Sequence, residues 1–155
     1  MKEIKVRDAL PEDVPVLLAF EQALITAERP FDPCIRPDPV SYYDLAAYVG
    51  DDTVKVVVAE IDGEIVGSGY AIAKKARPYL DHVDYAYLGF MYTKPSYRGQ
   101  GINKMIINTL VDWSRGKGLE EIRLTVYHDN LPAIKAYQKA GFKKHIAEMR
   151  LTTDK

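Results

Sequence analysis

The chain carries one cysteine, Cys34, and a single cysteine excludes an internal disulfide framework. It is also short of charge imbalance: the formal net charge is −1, which leaves no electrostatic footprint for nucleic acid. Long hydrophobic runs are missing as well, and nothing approaches the ~20 apolar residues that a membrane-spanning helix needs. The first residues, Met1-Lys2-Glu3-Ile4-Lys5-Val6, alternate charged and apolar types and do not read as a signal peptide. A cytoplasmic protein that binds neither nucleic acid nor membrane is the expectation. Its 155 residues, 47% hydrophobic and 28% charged, suffice for one globular domain over residues 1–155. Eleven tyrosines are present. Tyrosine is ordinary strand material, and it also lines clefts.

Punctuation and periodicity order the rest. Ile4 and Val6 alternate with Lys5 and Arg7 as a short strand, and Asp8 to Asp13 opens a helix running to about Ala27. Residues 29–39 hold four prolines, Pro30, Pro33, Pro37 and Pro39, and form neither helix interior nor central strand. This loop either walls a cleft or simply connects, and Cys34 within it has no partner base that the sequence can name. Val40 to Val49 reads as a second helix. Thr53 to Ile61 and Glu64 to Lys74 flank Asp62-Gly63 as a hairpin, with Gly67 and Gly69 loosening its second strand. Tyr85 to Thr93 is a further strand, where Gly89 signals a bulge or a close backbone approach. A helix follows on Ile102, Met105, Ile106, Thr109, Leu110 and Trp113, closed by Gly116 and Gly118. Then come a strand from about Glu121 to Tyr127, a helix capped by Asn130 with Pro132 in its first turn, and a last strand from Phe142 to Thr152. The order β-α-α-β-β-β-α-β-α-β predicts an α/β fold with a mixed, mostly antiparallel sheet and helices on both faces.

The most informative stretch runs from Tyr92 to Asn103. A strand ends, Pro95 breaks it, Gly99 and Gly101 make a loop, and an amphipathic helix begins. A helix start presents unpaired N–H groups and the positive end of the dipole. Glycines let a ligand reach those groups, and Arg98 adds a forked positive charge. The combination suits an anion, most naturally a phosphate; a ligand-free glycine cap is the alternative. A dinucleotide fingerprint fails because Lys104 stands at its third glycine. A Walker loop fails because Val111 stands where its first glycine belongs.

What remains, Arg98-x-x-Gly101-x-Asn103, resembles motif A of the GNAT N-acetyltransferase superfamily, with Pro95 and Tyr97 similar to its lead-in. Asn103 departs from that pattern, which prefers glycine or alanine. Downstream, Asn130, Ala133, Ile134, Tyr137, Gly141 and Phe142 resemble motif B of the same superfamily. The resemblance implies an N-acetyltransferase that moves an acetyl group from acetyl-CoA, its co-substrate, to a primary amine of a small molecule or a peptide. No metal is implied, and a homodimer is left open. The resemblance further implies that the CoA pyrophosphate lies on Arg98, Gly99, Gln100, Gly101, Ile102, Asn103 and Lys104. The pantetheine would add beside Met91, Tyr92 and Thr93, and the thioester would sit where the parallel strands splay. Asn130 and Tyr137 would reach the pantetheine and the sulfur, with Tyr137 as the general acid. The general base stays open. Some members place a glutamate five residues before the motif B asparagine, but here that residue is Thr125. Asp84, His82, His128 and a water chain are the candidates. A non-catalytic acyl-CoA-binding module on the same fold is the alternative function.

Overall fold

The computed structural model describes residues 2–153; Met1 and the last two residues of the expected domain lie outside the described residues. The chain forms two compact units, residues 1–125 and 126–155.

The first unit is built on a five-stranded sheet in the order β1 (Lys5–Asp8), β2 (Val54–Ile61), β3 (Glu64–Lys75), β4 (Asp84–Thr93), β5 (Ile122–Arg123). The first three pairings are antiparallel, and β4 with β5 is parallel, as a strand–helix–strand crossover requires. Asp62 (φ 51°) and Gly63 (φ 80°) make the tight hairpin between β2 and β3. Two helical layers sandwich the sheet. On one face α1 (Val14–Glu28) and the short α2 (Leu45–Tyr48) pack Leu17, Phe20 and Leu45 against Val56, Val58, Tyr70 and Phe90. The alternate positions Val57 and Ala59 point the other way, toward α3 (Ile102–Gly116). Gly69 lies opposite Val57 on that face. A β-carbon there would stand 2.7 Å from Ile106 and 2.9 Å from the Met91 sulfur, so the missing side chain lets α3 lie directly on the sheet. Gly67 and Gly69 thus serve helix packing rather than loosening the strand. The buried face of α3 is Ile102, Ile106, Ile107, Leu110 and Ser114; Met105 is exposed and Trp113 only half-buried.

The helix expected over Val40–Val49 shortens to Leu45–Tyr48. The reason is Glu21, buried on α1, whose Oε2 accepts from the N–H groups of Tyr42 (2.9 Å) and Tyr43 (2.8 Å). Those two donors are thereby lost to a helical ladder, and Asp44 caps the turn that starts after them. Glu21→Ala removes one charged acceptor from two donors. At about 1–3 kcal/mol for each stranded group, unfolding in urea should show a loss of about 2–5 kcal/mol. A loss below about 1 kcal/mol would mean that residues 42–43 hold their place without it.

Two strand expectations also change. The parallel ladder covers Ala86 and Tyr87 with Ile122 and Arg123, not the full stretch to Tyr127. Beyond it β4 bulges: Phe90 and Met91 together face Gly69, and Phe90 takes φ 56°. A bulge bends its strand and ends regular pairing. Gly89 sits at this point because a β-carbon would meet the Tyr70 hydroxyl at 2.5 Å.

The second unit holds α4 (Leu131–Lys139), capped by the Asn130 side chain, which accepts from the Ala133 N–H at 3.4 Å, and ended at Gly141 (φ 108°). The strand expected over Phe142–Thr152 is not formed; among the described residues, 142–153 hold no strand. Lys143, Lys144 and His145 interrupt the two-residue period, and Ile146, Met149 and Leu151 stand exposed.

Candidate active site

The Arg98–Lys104 loop connects the end of β4 to α3. A 3-10 turn, Pro95–Tyr97, leads into it and is tied to the β2–β3 hairpin: Lys94 Nζ lies 2.9 Å from Glu64, and the Tyr97 hydroxyl donates to the same carboxylate at 3.1 Å. The Lys94 hydrogen bond, then that of Tyr97, holds the Glu64 carboxyl below its ordinary range. Gly99 (φ 81°) and Gly101 (φ 84°) turn the chain into the helix through left-handed conformations. Gly101 is the cap residue of α3 and brings no side chain to the task. The backbone N–H groups of Gly99, Gln100, Gly101, Ile102, Asn103 and Lys104 have no acceptor among the described residues. Six such donors at the positive end of a fifteen-residue helix form an anion cradle, and an added β-carbon at Gly99 or Gly101 would meet nothing within 4 Å. Arg98 stands exposed at its edge and spends only its Nε, donating to the Thr93 carbonyl at 3.3 Å. A pyrophosphate fits this donor set.

Beside the cradle, β4 from Leu88 to Thr93 pairs with β3 on one side only, because the ladder to β5 stops at Tyr87. That edge, which includes Met91, Tyr92 and Thr93, suits an extended chain carrying amides. A cavity of about 460 Å³ lies next to it, lined by Gln22, Ala23, Thr26 and Ala27 of α1 together with Tyr92, Pro95 and Arg98. The site residues anticipated in this unit are therefore gathered at one end of the sheet.

The candidate bases are not gathered there. Asp84 begins β4, nine residues before its far end at Thr93, a span of roughly 30 Å at ~3.3 Å per residue. It pairs with Lys75 at 2.9 Å. His82 is nearby and fully engaged: its Nδ1 is 2.8 Å from Asp81, and its Nε2 is 2.9 Å from the Arg123 guanidinium. The arginine can only donate, so Nε2 accepts and Nδ1 carries the hydrogen toward Asp81. Thr125, at the position where some relatives carry glutamate, has its hydroxyl 2.6 Å from that of Tyr87.

Sequence reasoning missed an aromatic cluster over the bulge. Tyr43 stacks edge-on against Tyr70 (5.2 Å between centroids), Phe90 (5.4 Å) and Tyr42 (5.6 Å), while Phe20 lies 4.8 Å from Tyr92. Burial pushes the Tyr43 and Tyr70 hydroxyls well above their ordinary range, so both stay protonated. Buried Ser68 donates to the Phe90 carbonyl at 3.1 Å. Side chains thus hold the residue that the bulge removes from the regular ladder. At the end of α1, Glu28 is half-buried, and burial raises its carboxyl above the usual carboxylate range. The available signal was the position of Glu21 and Glu28 on the helical face of Leu17 and Leu24, where an acid is costly without a purpose.

In the second unit, Tyr137 is half-buried, with its ring 6.0 Å from that of Phe142. His128 is exposed in the turn before α4. In the first unit, Cys34 is exposed. Among the described residues no group of histidine, cysteine, aspartate and glutamate could hold a metal ion, and no helix is long and apolar enough to cross a membrane.

Residues 21–142 match the Acetyltransferase (GNAT) family. Over 94 residues the chain is 34% identical to an L-amino acid N-acetyltransferase, AaaT, of Escherichia coli (strain K12); the match covers 58% of this chain and 54% of that protein, about half its length. The fold resembles the tetramutant of the BH1408 protein from Bacillus halodurans, with a TM-score of 0.82, 18% identity and coverage of 96% of this chain and 99% of that one. It also resembles the aminoglycoside N-acetyltransferase AAC(6')-Iy in complex with CoA, with a TM-score of 0.74, 17% identity and coverage of 97% and 99%. At those identities the structural likeness shows the fold, and the match over residues 21–142 shows the family: the chain belongs to the GNAT acetyltransferases.

Proposed function

We propose that the protein is an acetyl-CoA-dependent N-acetyltransferase, that residues 1–155 work as one domain, and that the acceptor is a primary amine of a small molecule or a peptide. The observation that carries this reading is the row of unpartnered N–H groups from Gly99 to Lys104, set beside the free edge of β4 in a member of the family. On this reading the cradle and Arg98 take the pyrophosphate, while Met91, Tyr92 and Thr93 take the pantetheine as an added strand. Asn130 and Tyr137 take its far end, as motif B implies. The low cysteine count supports a cytoplasmic site of action.

The chemistry has two proton problems. An alkylammonium has a pKa of ~10.4, so freeing its lone pair at neutral pH costs about 4–5 kcal/mol. The departing thiolate needs a proton in turn, and Tyr137, with a hydroxyl whose reference pKa is ~10, is the proposed donor. An amine already bound beside an acetyl thioester attacks as a near-unimolecular partner, an arrangement that can lower the barrier by about 7–11 kcal/mol.

Acetyl-CoA at 100 times its dissociation constant should stabilise the fold by about 2.7 kcal/mol, raising the melting temperature by about 5–10 °C. A thiol-release assay against amino acids, amino sugars, polyamines and peptides should then identify an acceptor. No thermal shift at millimolar acetyl-CoA would contradict the reading.

A further inference from the structure

Two hydroxyls meet where the parallel strands part. Tyr87 pairs with Arg123 on the last rung of the β4–β5 ladder. Its hydroxyl reaches across to the chain that follows β5 and lies 2.6 Å from the hydroxyl of Thr125. Thr125 is two residues beyond Arg123, and parallel strands run the same way. The pair therefore stands just past the last rung, at the apex of the opening between β4 and the chain after β5. Resting on the transferase reading, in which the thioester occupies that opening, we propose that the Tyr87 hydroxyl donates to the thioester carbonyl oxygen. It thereby stabilises the negative charge that builds there, with Thr125 and Lys74 as its positioning residues.

The hydrogen count assigns the donor. Each hydroxyl owns one hydrogen and can also accept. A pair bonded once has spent one hydrogen and keeps the other for an outside acceptor. A phenol is a better donor to an oxyanion than an alkyl alcohol, so Thr125 donates to Tyr87 and Tyr87 donates outward. Bonds linked in that order strengthen one another. Both hydroxyls are within reach of water, so burial does not oblige them to pair. Lys74 adds a charge: its Nζ lies 4.2 Å from the centroid of the Tyr87 ring. The neighbouring cations Lys75 and Arg123 are paired with Asp84 and Glu121, whereas Lys74 joins no ion pair among the described residues. A cation left unneutralised over the ring favours negative charge arriving at its hydroxyl.

The step balances without a further reactant. R–NH₃⁺ loses one proton to water, leaving R–NH₂. The nitrogen lone pair forms the C–N bond, and the C=O π pair moves onto oxygen, against the Tyr87 O–H. That pair returns as the C–S bond breaks and its electrons leave on sulfur. The second proton lost from nitrogen balances the one gained by sulfur. Tyr87 keeps its own hydrogen throughout.

The test binds acetyl-CoA, labelled with ¹³C at the thioester carbonyl, to the full chain and follows that carbonyl by difference infrared spectroscopy. A donor on the oxygen weakens the C=O bond. In the wild type the bound stretch should therefore lie below that of free acetyl-CoA, and in Tyr87→Phe it should return most of the way. Thr125→Val should give an intermediate band, and Thr125→Ser, which keeps a hydroxyl, the wild-type band. With the amine that the thiol-release panel identifies, kcat should fall by about 10²–10³-fold in Tyr87→Phe and by about tenfold in Thr125→Val. The KM for acetyl-CoA should stay unchanged in both. A hydroxyl pair that only ties two chain segments together gives a lower melting temperature with the carbonyl band unaltered. Equal carbonyl bands in wild type and Tyr87→Phe, or an unchanged kcat, would overturn the proposal. Absence of acetyl-CoA binding in the wild type would instead defeat the transferase reading itself.

Discussion

Changing Arg98 to alanine and Gly101 to aspartate should remove nearly all acetyl-CoA affinity while the fold survives. Arg98 is exposed, and its one internal hydrogen bond, to Thr93, is long at 3.3 Å. Its loss therefore costs the free protein little. A charge-assisted bond to phosphate is worth about 1.5–3 kcal/mol, so Arg98→Ala alone should weaken binding by about 10–150-fold. Gly101 acts differently. Its φ of 84° is left-handed, and the space beyond its Cα is open. An aspartate there enters that space with a negative charge aimed where the anion belongs. It also adds backbone strain of about 1–2 kcal/mol, which a drop of a few degrees in melting temperature would register. The double variant should show no measurable binding by calorimetry at concentrations that saturate the wild type. Unchanged affinity would remove the loop from the site.

Tyr137→Phe should separate chemistry from packing. The tyrosine is half-buried, seven residues after Asn130, two turns along the same helix. Phenylalanine keeps the ring and its edge-on contact with Phe142. If the hydroxyl protonates the leaving thiolate, kcat falls by about 10²–10⁴-fold. Acetyl-CoA affinity and melting temperature then change little. A tyrosine that serves only structure gives the reverse pattern, a stability loss of ~1 kcal/mol with the rate nearly intact. Measuring kcat and melting temperature on one variant decides between them.

The parts of the fold legible from the letters were those written in local chemistry. Asp62-Gly63 demanded a hairpin, Asn130 a cap and Gly141 a helix end, and each is found where expected. The anion loop was legible for the same reason, because glycine, arginine and a helix start are contiguous in sequence. What stayed hidden depends on partners far apart. Glu21 shortens the second helix by binding the backbone of residues 42–43 across more than twenty positions. Gly89 announced a bulge or a close approach, and both occur, yet nothing local named Tyr70 as the side chain that fills the space. The tail from Phe142 shows the opposite failure, because residual alternation suggested a strand but a strand exists only when it is paired.

Six amides at the start of α3 stand ready for a pyrophosphate, and the proposed function depends on them. Following the ¹⁵N–¹H resonances of Gly99 to Lys104 while acetyl-CoA is added tests that directly. These amides should move together, saturate with one equivalent, and shift further than any others in the chain, because each gains a charged acceptor where it had none. S-acetylpantetheine, which lacks the pyrophosphate, should leave them almost unmoved. Saturable acetyl-CoA binding with these six resonances unperturbed would place the anion elsewhere and refute the cradle.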